Sequence, residues 1–249
     1  MSRLVEAVSF DGLPVLIAAV VVAGLVRGFT GFGTALVYVP LASTVLSPVH
    51  VVVSLMVFDI FGPLPLMPRA LRDGQAREVA RLLLGAVVGL IIGLTLLTRA
   101  DPVVFRWGVC VLSIVLLLIL ISGWRHRGSL SKTGKAFLGG ASGLLGGAAG
   151  LPGPPVILFY LSGQANPAAI RANILMYLVF FDVMFFVVLG ISGLMEWMPV
   201  LIGLLLVIPY GLGGMIGQAI FDPAREKVYR SVSYLVIAAA AVTGLPLFD

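Results

Sequence analysis

Charged residues are scarce in this sequence. Asp, Glu, Lys and Arg make up only 11% of its 249 residues, whereas 60% are apolar. So few polar groups cannot cover the surface of a soluble globule of this length. The composition therefore predicts a polytopic membrane protein whose main surroundings are the lipid bilayer.

Cysteine and histidine are almost absent as well. Cys110 is the single cysteine, and the two histidines are His50 and His126. One cysteine excludes an internal disulfide and a multi-cysteine metal site, and no histidine pair has metal-motif spacing. The sequence contains no nucleotide-binding motif, and its Lys and Arg residues lie in short loops between apolar runs. We expect no metal, no other cofactor and no nucleic-acid partner.

Glycine, by contrast, is concentrated in the segment GLVRGFTGFGT at residues 24–34. This segment lies inside an apolar run at residues 13–46, which is too long for one straight crossing: about 50 Å against a hydrocarbon core of about 30 Å. Each glycine also weakens a helix by roughly 1 kcal/mol relative to alanine. The sequence therefore predicts a break here, between two helical arms of about 15 residues each that form a hairpin or a re-entrant loop.

The glycine pattern returns at residues 143–155, where three glycines recur at a constant offset of 119 residues (143 − 24 = 119). Further matches follow in the same order: Gly89 with Gly213, Asp101-Pro102 with Asp222-Pro223, and Phe58-Asp59 with Phe181-Asp182. We predict an all-α polytopic membrane domain made of two repeats, residues 1–128 and 129–249. Each repeat would hold one glycine-broken element and three transmembrane helices, giving about 8–10 membrane segments in all.

The basic loops set the orientation. Residues 69–81 and 122–135 carry four Lys or Arg each and are separated by two spans, so both loops should face the cytoplasm. If each broken element enters and leaves on one side, the second repeat is inverted, and Arg171 and Arg225 are cytoplasmic too. If each element crosses once, these cations lie outside. The charge count favours inverted repeats, with residues near 100 and 196 outside.

A broken helix in a membrane exposes backbone N–H groups and the positive end of the helix dipole, which suits an anion. Arg27 adds a full charge to the first element, and threonine hydroxyls add donors, whereas Gly146 stands at the matching place in the second. The alternatives are that the glycines only allow close helix packing, and that Arg27 only reaches to a membrane interface. The candidate substrate-binding residues are Arg27, Gly28, Thr30, Gly31, Gly33, Thr34, Gly150, Gly153, Arg171 and Asn173.

Two aspartates, Asp59 and Asp182, lie within apolar spans, where an isolated carboxylate is costly. They are candidates for proton coupling or for salt bridges to Arg27 and Arg171; a structural polar contact between helices is the alternative. Asn173 could similarly reach a ligand, or Arg171 and Asn173 could be an anchoring arginine followed by a cap.

Gly140-Ala141-Ser142-Gly143 has the GxSG pattern of rhomboid-type intramembrane serine proteases. That chemistry needs a histidine base within hydrogen-bond reach, but His50 is at a membrane boundary and His126 is in a basic loop. A small packing serine is the simpler interpretation of Ser142, so we expect no enzyme.

The motif GFTGFG at residues 28–33, followed by Val37-Tyr38-Val39-Pro40, and the motif GGAAGLPGPP at residues 146–155, with Arg171-Ala172-Asn173, resemble the sulfite exporter TauE/SafE family. That family is also called the toluene sulfonate uptake permease family. The resemblance covers about residues 13–247 and implies a multi-pass inner-membrane carrier that exports small sulfur-containing anions such as sulfite or organosulfonates. This sequence has Gly31-Phe32-Gly33 where the family often has three consecutive glycines.

Several alternatives stay open from the sequence. The substrate could be another small anion such as a carboxylate, and Ser142 could serve an intramembrane hydrolase. Transport could be coupled to protons or could be uniport driven by the membrane potential, at roughly 2.3 kcal/mol per charge per 100 mV. The sequence also leaves open whether copies of the chain form a homo-oligomer.

Overall fold

A computed structural model describes residues 2–122, 131–162 and 166–247 of the chain. The basic residues at 124–127 and the predicted repeat boundary at 128 lie outside the described residues. The described part is helical throughout and contains no strand, which confirms the all-α membrane fold. Its α-helices are α1 Ser2–Val8, α2 Leu13–Thr30, α3 Thr34–Ala42, α4 Pro48–Phe61, α5 Met67–Asp73, α6 Ala76–Arg99, α7 Pro102–Ser122, α8 Lys132–Ala149, α9 Gly153–Ser162, α10 Pro167–Ile191, α11 Trp197–Ile220 and α12 Glu226–Thr243.

Five of these helices, α2, α6, α7, α10 and α11, are long and apolar enough to cross a membrane. The helix α4 is apolar but shorter, with 14 residues. It ends at Phe61, shortly before Pro63, because proline lacks the N–H group that would continue the helix. The number of membrane segments and the division into two repeats stay predictions.

The predicted basic loop at residues 69–81 is largely helical. Pro68 lies in the first turn of α5, where a missing N–H group costs nothing. The N–H group of Gln75 donates to Oδ1 of Asn173 over 2.6 Å, which caps the start of α6. Arg77 and Arg81 are therefore exposed residues of the first turns of α6 rather than residues of a loop.

The chain divides into two compact units, each with helices from both predicted repeats. The first unit contains Met1–Asp59, Ala100–Ser122 and Glu196–Asp249. Here α2 lies directly against α11: a Cβ added to Gly28 would be 2.7 Å from the carbonyl oxygen of Gly214, and one added to Gly24 would be 2.6 Å from that of Tyr210. Positions advance together along both helices, so α2 and α11 run parallel.

In the same unit, α4 also runs parallel to α11. His50 Nε2 and Glu196 Oε2 lie 2.6 Å apart at the beginning of the two helices, and Tyr210 meets Asp59 further along. The short helix α3 runs in the opposite direction. Thr34 at its start is linked through Tyr210 to Asp59 near the end of α4, whereas Tyr38, one turn further along α3, bonds to the earlier residue Ser54 over 2.8 Å. The segments α2 and α3 are thus antiparallel arms of 18 and 9 residues, an arrangement that both a hairpin and a re-entrant loop predict.

The second unit contains Ile60–Arg99 and Gly123–Met195. Here α6 and α8 pack backbone to backbone: a Cβ on Gly85 would meet the carbonyl oxygen of Ala136, and one on Gly93 would lie 2.5 Å from that of Leu144. Positions advance together along both helices, so α6 and α8 run parallel. The glycines of α6 therefore form a smooth face for a neighbouring helix. Lys135 and Glu78 form an ion pair between the first turns of the two helices.

Candidate functional site

The break between α2 and α3 is made by two glycines in the left-handed region of backbone space. Gly31 has φ 78° and Gly33 has φ 99°, values that cost a residue with a Cβ about 1–2 kcal/mol. The N–H group of Gly31 donates to the carbonyl oxygen of Arg27 over 2.7 Å and closes α2. The Thr30 hydroxyl lies 2.9 Å from the carbonyl oxygen of Val26 and 2.8 Å from that of Phe32 and can donate its proton to either, so this threonine is used by the turn itself.

The helix α3 begins at this break without a side-chain cap. Its N-cap residue is Gly33, which has no side chain that could accept a hydrogen bond from the first amides. Gly31 is exposed, and a Cβ there would have no atom within 4 Å. The break therefore presents open space next to the positive end of a helix dipole.

Four polar side chains meet beside the break. Arg27 Nη1 donates to Asp59 Oδ1 over 2.7 Å, and Tyr210 OH donates to the same oxygen over 2.7 Å. Arg27 Nη1 also lies 3.3 Å from Thr34 Oγ1, and Thr34 Oγ1 lies 3.0 Å from Tyr210 OH. The Arg27 cluster, as we call these four residues, joins α2, α3, α4 and α11 within the first unit.

The Arg27 cluster is only partly buried. The side chains of Arg27 and Asp59 keep 21% and 15% of their surface exposed, whereas Thr34 and Tyr210 are buried. The pair is thus withdrawn from most of the surrounding medium but can still be reached from outside the helices. An aromatic group of Tyr38, Phe58 and Tyr210 packs behind it, with ring centroids 4.8 and 4.9 Å apart.

The structure thus brings together three of the residues that the sequence singled out, Arg27, Thr34 and Asp59. The salt bridge to Arg27, one of the three interpretations of Asp59, is present. Gly28 serves close packing against α11, as the alternative reading of the glycines holds, while Gly31 and Gly33 form the break.

The second glycine-rich element is also broken. Gly150, with φ 68°, ends α8, and two hydrogen bonds close the end: Gly150 N–H donates to Gly146 over 3.0 Å, and Leu151 N–H donates to Leu145 over 3.2 Å. Gly153 then begins α9 as a buried residue. The prolines of α9 remove amide donors there, so this break offers fewer N–H groups than the first.

The remaining predicted residues belong to α10. Arg171 is exposed, Asp182 is buried, and the carbonyl oxygen of the Asn173 side chain accepts the N–H group of Gln75. Asn173 does not cap α10, which begins at Pro167 with Asn166 as its N-cap; its side chain instead binds the start of α6. None of these contacts tests the predicted roles in binding or coupling.

Ser142 is fully buried and has two polar neighbours. Its hydroxyl donates to the carbonyl oxygen of Pro152 and lies 2.7 Å from the Tyr177 hydroxyl. Neither neighbour is a base of the kind that a serine nucleophile needs. The arrangement ties α8 to α10 and to the second break, which is a structural role.

Sequence reasoning missed Tyr210, the member of the Arg27 cluster that comes from α11. A tyrosine is common in an apolar helix and does not by itself indicate a functional site. The one available signal was its place between Pro209 and Gly211, three residues before the matched Gly213. The Lys135–Glu78 pair is also absent from the prediction, because the sequence predicts a loop around each of the two residues.

Comparison with protein-family models gives a match to the model described as Sulfite exporter TauE/SafE, over residues 16–243. Comparisons with curated proteins and with solved structures give no match. The matched family is one of membrane transporters and not of enzymes, so the hydrolase alternative for Ser142 is set aside. Both broken elements and all members of the Arg27 cluster fall inside the matched residues. The chain therefore belongs to the TauE/SafE sulfite exporter family, as a multi-pass transporter of the inner membrane.

Proposed function

We propose that this transporter is a secondary carrier that binds a small sulfur-containing anion, such as sulfite or an organosulfonate, at Arg27 and exports it. One observation carries the proposal: a half-buried guanidinium lies beside an open backbone break and already holds an oxyanion, the carboxylate of Asp59. A site that holds a carboxylate oxygen at 2.7 Å has the distance and charge for a sulfonate oxygen.

The energetics require a full charge at such a site. A helix terminus contributes about 0.3–1 kcal/mol to anion binding, and up to about 2 kcal/mol when partly buried. Desolvating an anion costs several kcal/mol. The contribution of the α3 terminus alone is smaller than this cost. A guanidinium offsets more of the desolvation cost, because it adds a unit charge and a planar fork of donors that matches two oxyanion oxygens.

The first break supports the proposal without help from the second. Thr34 brings a hydroxyl to the Arg27 cluster, and Gly31 and Gly33 keep side-chain atoms out of the break. In the second break, the proposed binding groups are the backbone groups of Gly150 and Gly153. Arg171 is proposed as a further positive charge. Asn173 contributes least, since its side-chain oxygen is engaged by Gln75.

A carboxylate carrier is the second candidate. The specific observation in its favour is that the ligand Arg27 holds in this structure is itself a carboxylate. The two candidates differ in the shape of the anion, since a sulfonate offers three oxygens in a pyramid and a carboxylate offers two in a plane. Comparing matched pairs of compounds, such as methanesulfonate and acetate, separates them.

A ligand panel on purified protein tests the proposal. Sulfite, sulfate, methanesulfonate and acetate are added separately, and the unfolding temperature is recorded. A ligand at a hundredfold excess over its dissociation constant should stabilise the protein by about 2.7 kcal/mol. We expect sulfite or methanesulfonate to give this effect, Arg27→Lys to weaken it because lysine lacks the fork, and Arg27→Gln to abolish it.

Arg225→Gln is the matched control, because Arg225 is an exposed arginine whose pair with Asp222 is long, at 3.8 Å. It should leave the ligand effect unchanged. Counterflow of a radiolabelled sulfonate in proteoliposomes then links binding to transport. The proposal is wrong if no anion stabilises the parent protein, or if Arg27→Gln binds and transports as the parent does.

A further inference from the structure

We propose that Asp59 is a built-in substitute for the substrate: it occupies Arg27 when the carrier is empty, and it gives way to the anion only when it takes up a proton. Each monovalent anion would then move together with one proton. This inference rests on the proposed function of Arg27 as the anion-binding residue.

Competition for Arg27 follows from the geometry. Asp59 Oδ1 lies 2.7 Å from Arg27 Nη1, at the distance of a charge-assisted hydrogen bond. A sulfonate oxygen that bonds to the same N–H group must take the position that this carboxylate oxygen fills. The ionised carboxylate and the anion therefore exclude each other from that donor, both by space and by charge.

The charge count selects the protonated form of Asp59 for the loaded state. The empty Arg27–Asp59 pair has a net charge of zero. Adding a monovalent anion while Asp59 stays ionised would leave one uncompensated negative charge in a site withdrawn from water, which is costly. Adding a proton to Asp59 at the same time restores neutrality, with Arg27 paired to the anion instead.

The surrounding hydroxyl groups can accommodate either form of Asp59. The groups that face it are Arg27 from α2, Tyr210 from α11 and, through Tyr210, the Thr34 hydroxyl of α3. An ionised Asp59 accepts the Tyr210 O–H group. A protonated Asp59 can donate to Tyr210, whose hydroxyl then turns towards Thr34, because each hydroxyl is both donor and acceptor. The nearby Tyr38 hydroxyl is bonded to Ser54.

The cycle is electroneutral, since the empty and loaded sites both have zero net charge. The membrane potential should then have no direct effect on transport of a monovalent anion, whereas a pH gradient should. Outward transport requires an outward concentration ratio of the anion that exceeds the inward ratio of protons. This separates the inference from uniport, in which the membrane potential drives the anion outward.

The experiment uses the full chain in proteoliposomes with radiolabelled methanesulfonate as the probe. Methanesulfonate stays ionised at every pH that the protein tolerates, so any dependence on protons belongs to the protein. With the membrane potential clamped by potassium and valinomycin, we expect the parent protein to accumulate the probe when the outside is more acidic. An internal pH dye should report one proton per anion. Transport that follows the potential and ignores the pH gradient overturns the inference without any variant.

Asp59→Asn tests whether Asp59 competes with the anion for Arg27 or only holds the Arg27 side chain in position. The amide has no charge to compete with, so the variant should bind methanesulfonate roughly tenfold more tightly than the parent in alkaline buffer. It should keep counterflow and lose accumulation driven by a pH gradient. Weaker binding, or accumulation as in the parent, overturns the inference. Asp73→Asn is the matched control, because Asp73 is an exposed aspartate that also pairs with an arginine, Arg69, and it should keep gradient-driven accumulation. Loss of accumulation in Asp182→Asn but not in Asp59→Asn would move the coupling to Asp182 and overturn the role of Asp59.

The failures of the two proposals can be told apart. If the parent protein neither binds nor exchanges any anion of the panel, the proposed function is wrong. If the parent binds and exchanges methanesulfonate through Arg27, and Asp59→Asn behaves as the parent does, only the role of Asp59 is wrong.

Discussion

Asp59 depends on two donors, Arg27 and Tyr210, that meet on one of its oxygens. A carboxylate in a membrane span is stable only when such partners compensate for the water it has lost. The hydroxyl of Tyr210 also reaches Thr34, so it fixes the distance between α11 and the break. The cluster should thus be sensitive to the loss of single atoms.

Replacing Tyr210 by phenylalanine removes one donor to an ionised oxygen. Hydrogen bonds to charged groups contribute about 1.5–3 kcal/mol, whereas neutral ones contribute about 0.5–1.5 kcal/mol. We therefore expect Tyr210→Phe to lower the free energy of unfolding by about 1.5–3 kcal/mol, measured by denaturation in detergent.

Tyr38→Phe is the control for this prediction. Tyr38 is equally buried, but its hydroxyl bonds to the neutral Ser54, which keeps a second bond to the carbonyl oxygen of Val51. The loss should be only about 0.5–1.5 kcal/mol. Equal losses in the two variants would mean that Asp59 does not gain from the Tyr210 hydroxyl.

Charged residues in apolar spans were the part of the site that the sequence could indicate. Arg27 and Asp59 stand out because a charge in a membrane needs a reason, and each is a natural partner for the other. Tyr210 could not be found in this way, because it is far away in sequence and its polar atom is a single hydroxyl. Its contribution depends on the packing of α11 against α2 and α4, which appears only in three dimensions.

At the scale of single elements, Gly31 in the first break has two proposed roles: it allows the positive φ of the turn, and it leaves space for the anion. A glycine that has only the first role can separate the two. Gly31 and Gly193 both have positive φ, 78° and 68°, and a Cβ on either would meet nothing within 4 Å. Gly193 lies in the exposed connection after α10, while Gly31 lies next to the Arg27 cluster. Both substitutions by alanine should cost about 1–2 kcal/mol of backbone strain.

We expect Gly31→Ala to impair sulfonate counterflow and Gly193→Ala to leave it unchanged, at similar losses of stability. The reason is that a methyl group on Gly31 enters the space proposed for the anion. Equal transport by the two variants would show that Gly31 serves only the chain turn.

The contact between α2 and α11 allows a second prediction at this scale. A Cβ on Gly28 would lie 2.7–2.9 Å from backbone atoms of α11, which can yield only if the whole helix shifts. Gly211, on α11 itself, has no atom within 4 Å of such a Cβ. Gly28→Ala should therefore destabilise the protein by at least about 1–3 kcal/mol, whereas Gly211→Ala should be neutral or stabilise it by up to about 1 kcal/mol. Thermal unfolding in detergent measures both; a neutral Gly28→Ala would contradict the close contact.

The positions of both breaks could be predicted because glycines at these places weaken a helix locally. The lengths of the arms could not. The helix α3 has 9 residues instead of about 15, since its end is set by contacts. The Ser43 hydroxyl donates to the carbonyl oxygen of Pro40 over 2.7 Å, and a Cβ on Gly244 would lie 2.6 Å from that same oxygen. Such contacts with α12 leave no mark in the sequence of α3.

At the scale of the whole molecule, the order of helices in each compact unit follows a common pattern. The glycine-broken helix of one predicted repeat packs in parallel against the glycine-spaced helix of the other: α2 against α11 in the first unit, and α8 against α6 in the second. The sequence matches that suggested two repeats are thus compatible with the fold. The exchange of helices between the repeats was not predicted, because a repeat pattern indicates which elements are alike and not which ones meet.

Membrane sidedness can be argued from the directions of α4 and α11, and it is the last prediction. The two helices are parallel, since His50 meets Glu196 at their beginnings and Asp59 meets Tyr210 further along. Their ends should therefore face the same side of the membrane. The end of α4 leads to the basic segment 69–81, which the charge rule assigns to the cytoplasm, and the end of α11 leads to Arg225. If each broken element crossed the membrane once, α4 and α11 would have to run in opposite directions.

We accordingly expect inverted repeats, tested by single cysteines at exposed positions on a Cys110→Ala background. Cysteines at Arg72 and Arg225 should react with a membrane-impermeant maleimide only after the membrane is opened, because both lie in the cytoplasm. Cysteines at Asp101 and Met195 should react in intact cells, because both lie outside. The native Cys110 is fully buried and should itself react little with the maleimide. Its replacement by alanine removes the remaining background, and we expect the fold to be kept. Labelling of position 225 in intact cells would refute inversion and would require the two helices to pack differently from the arrangement in which Tyr210 meets Asp59.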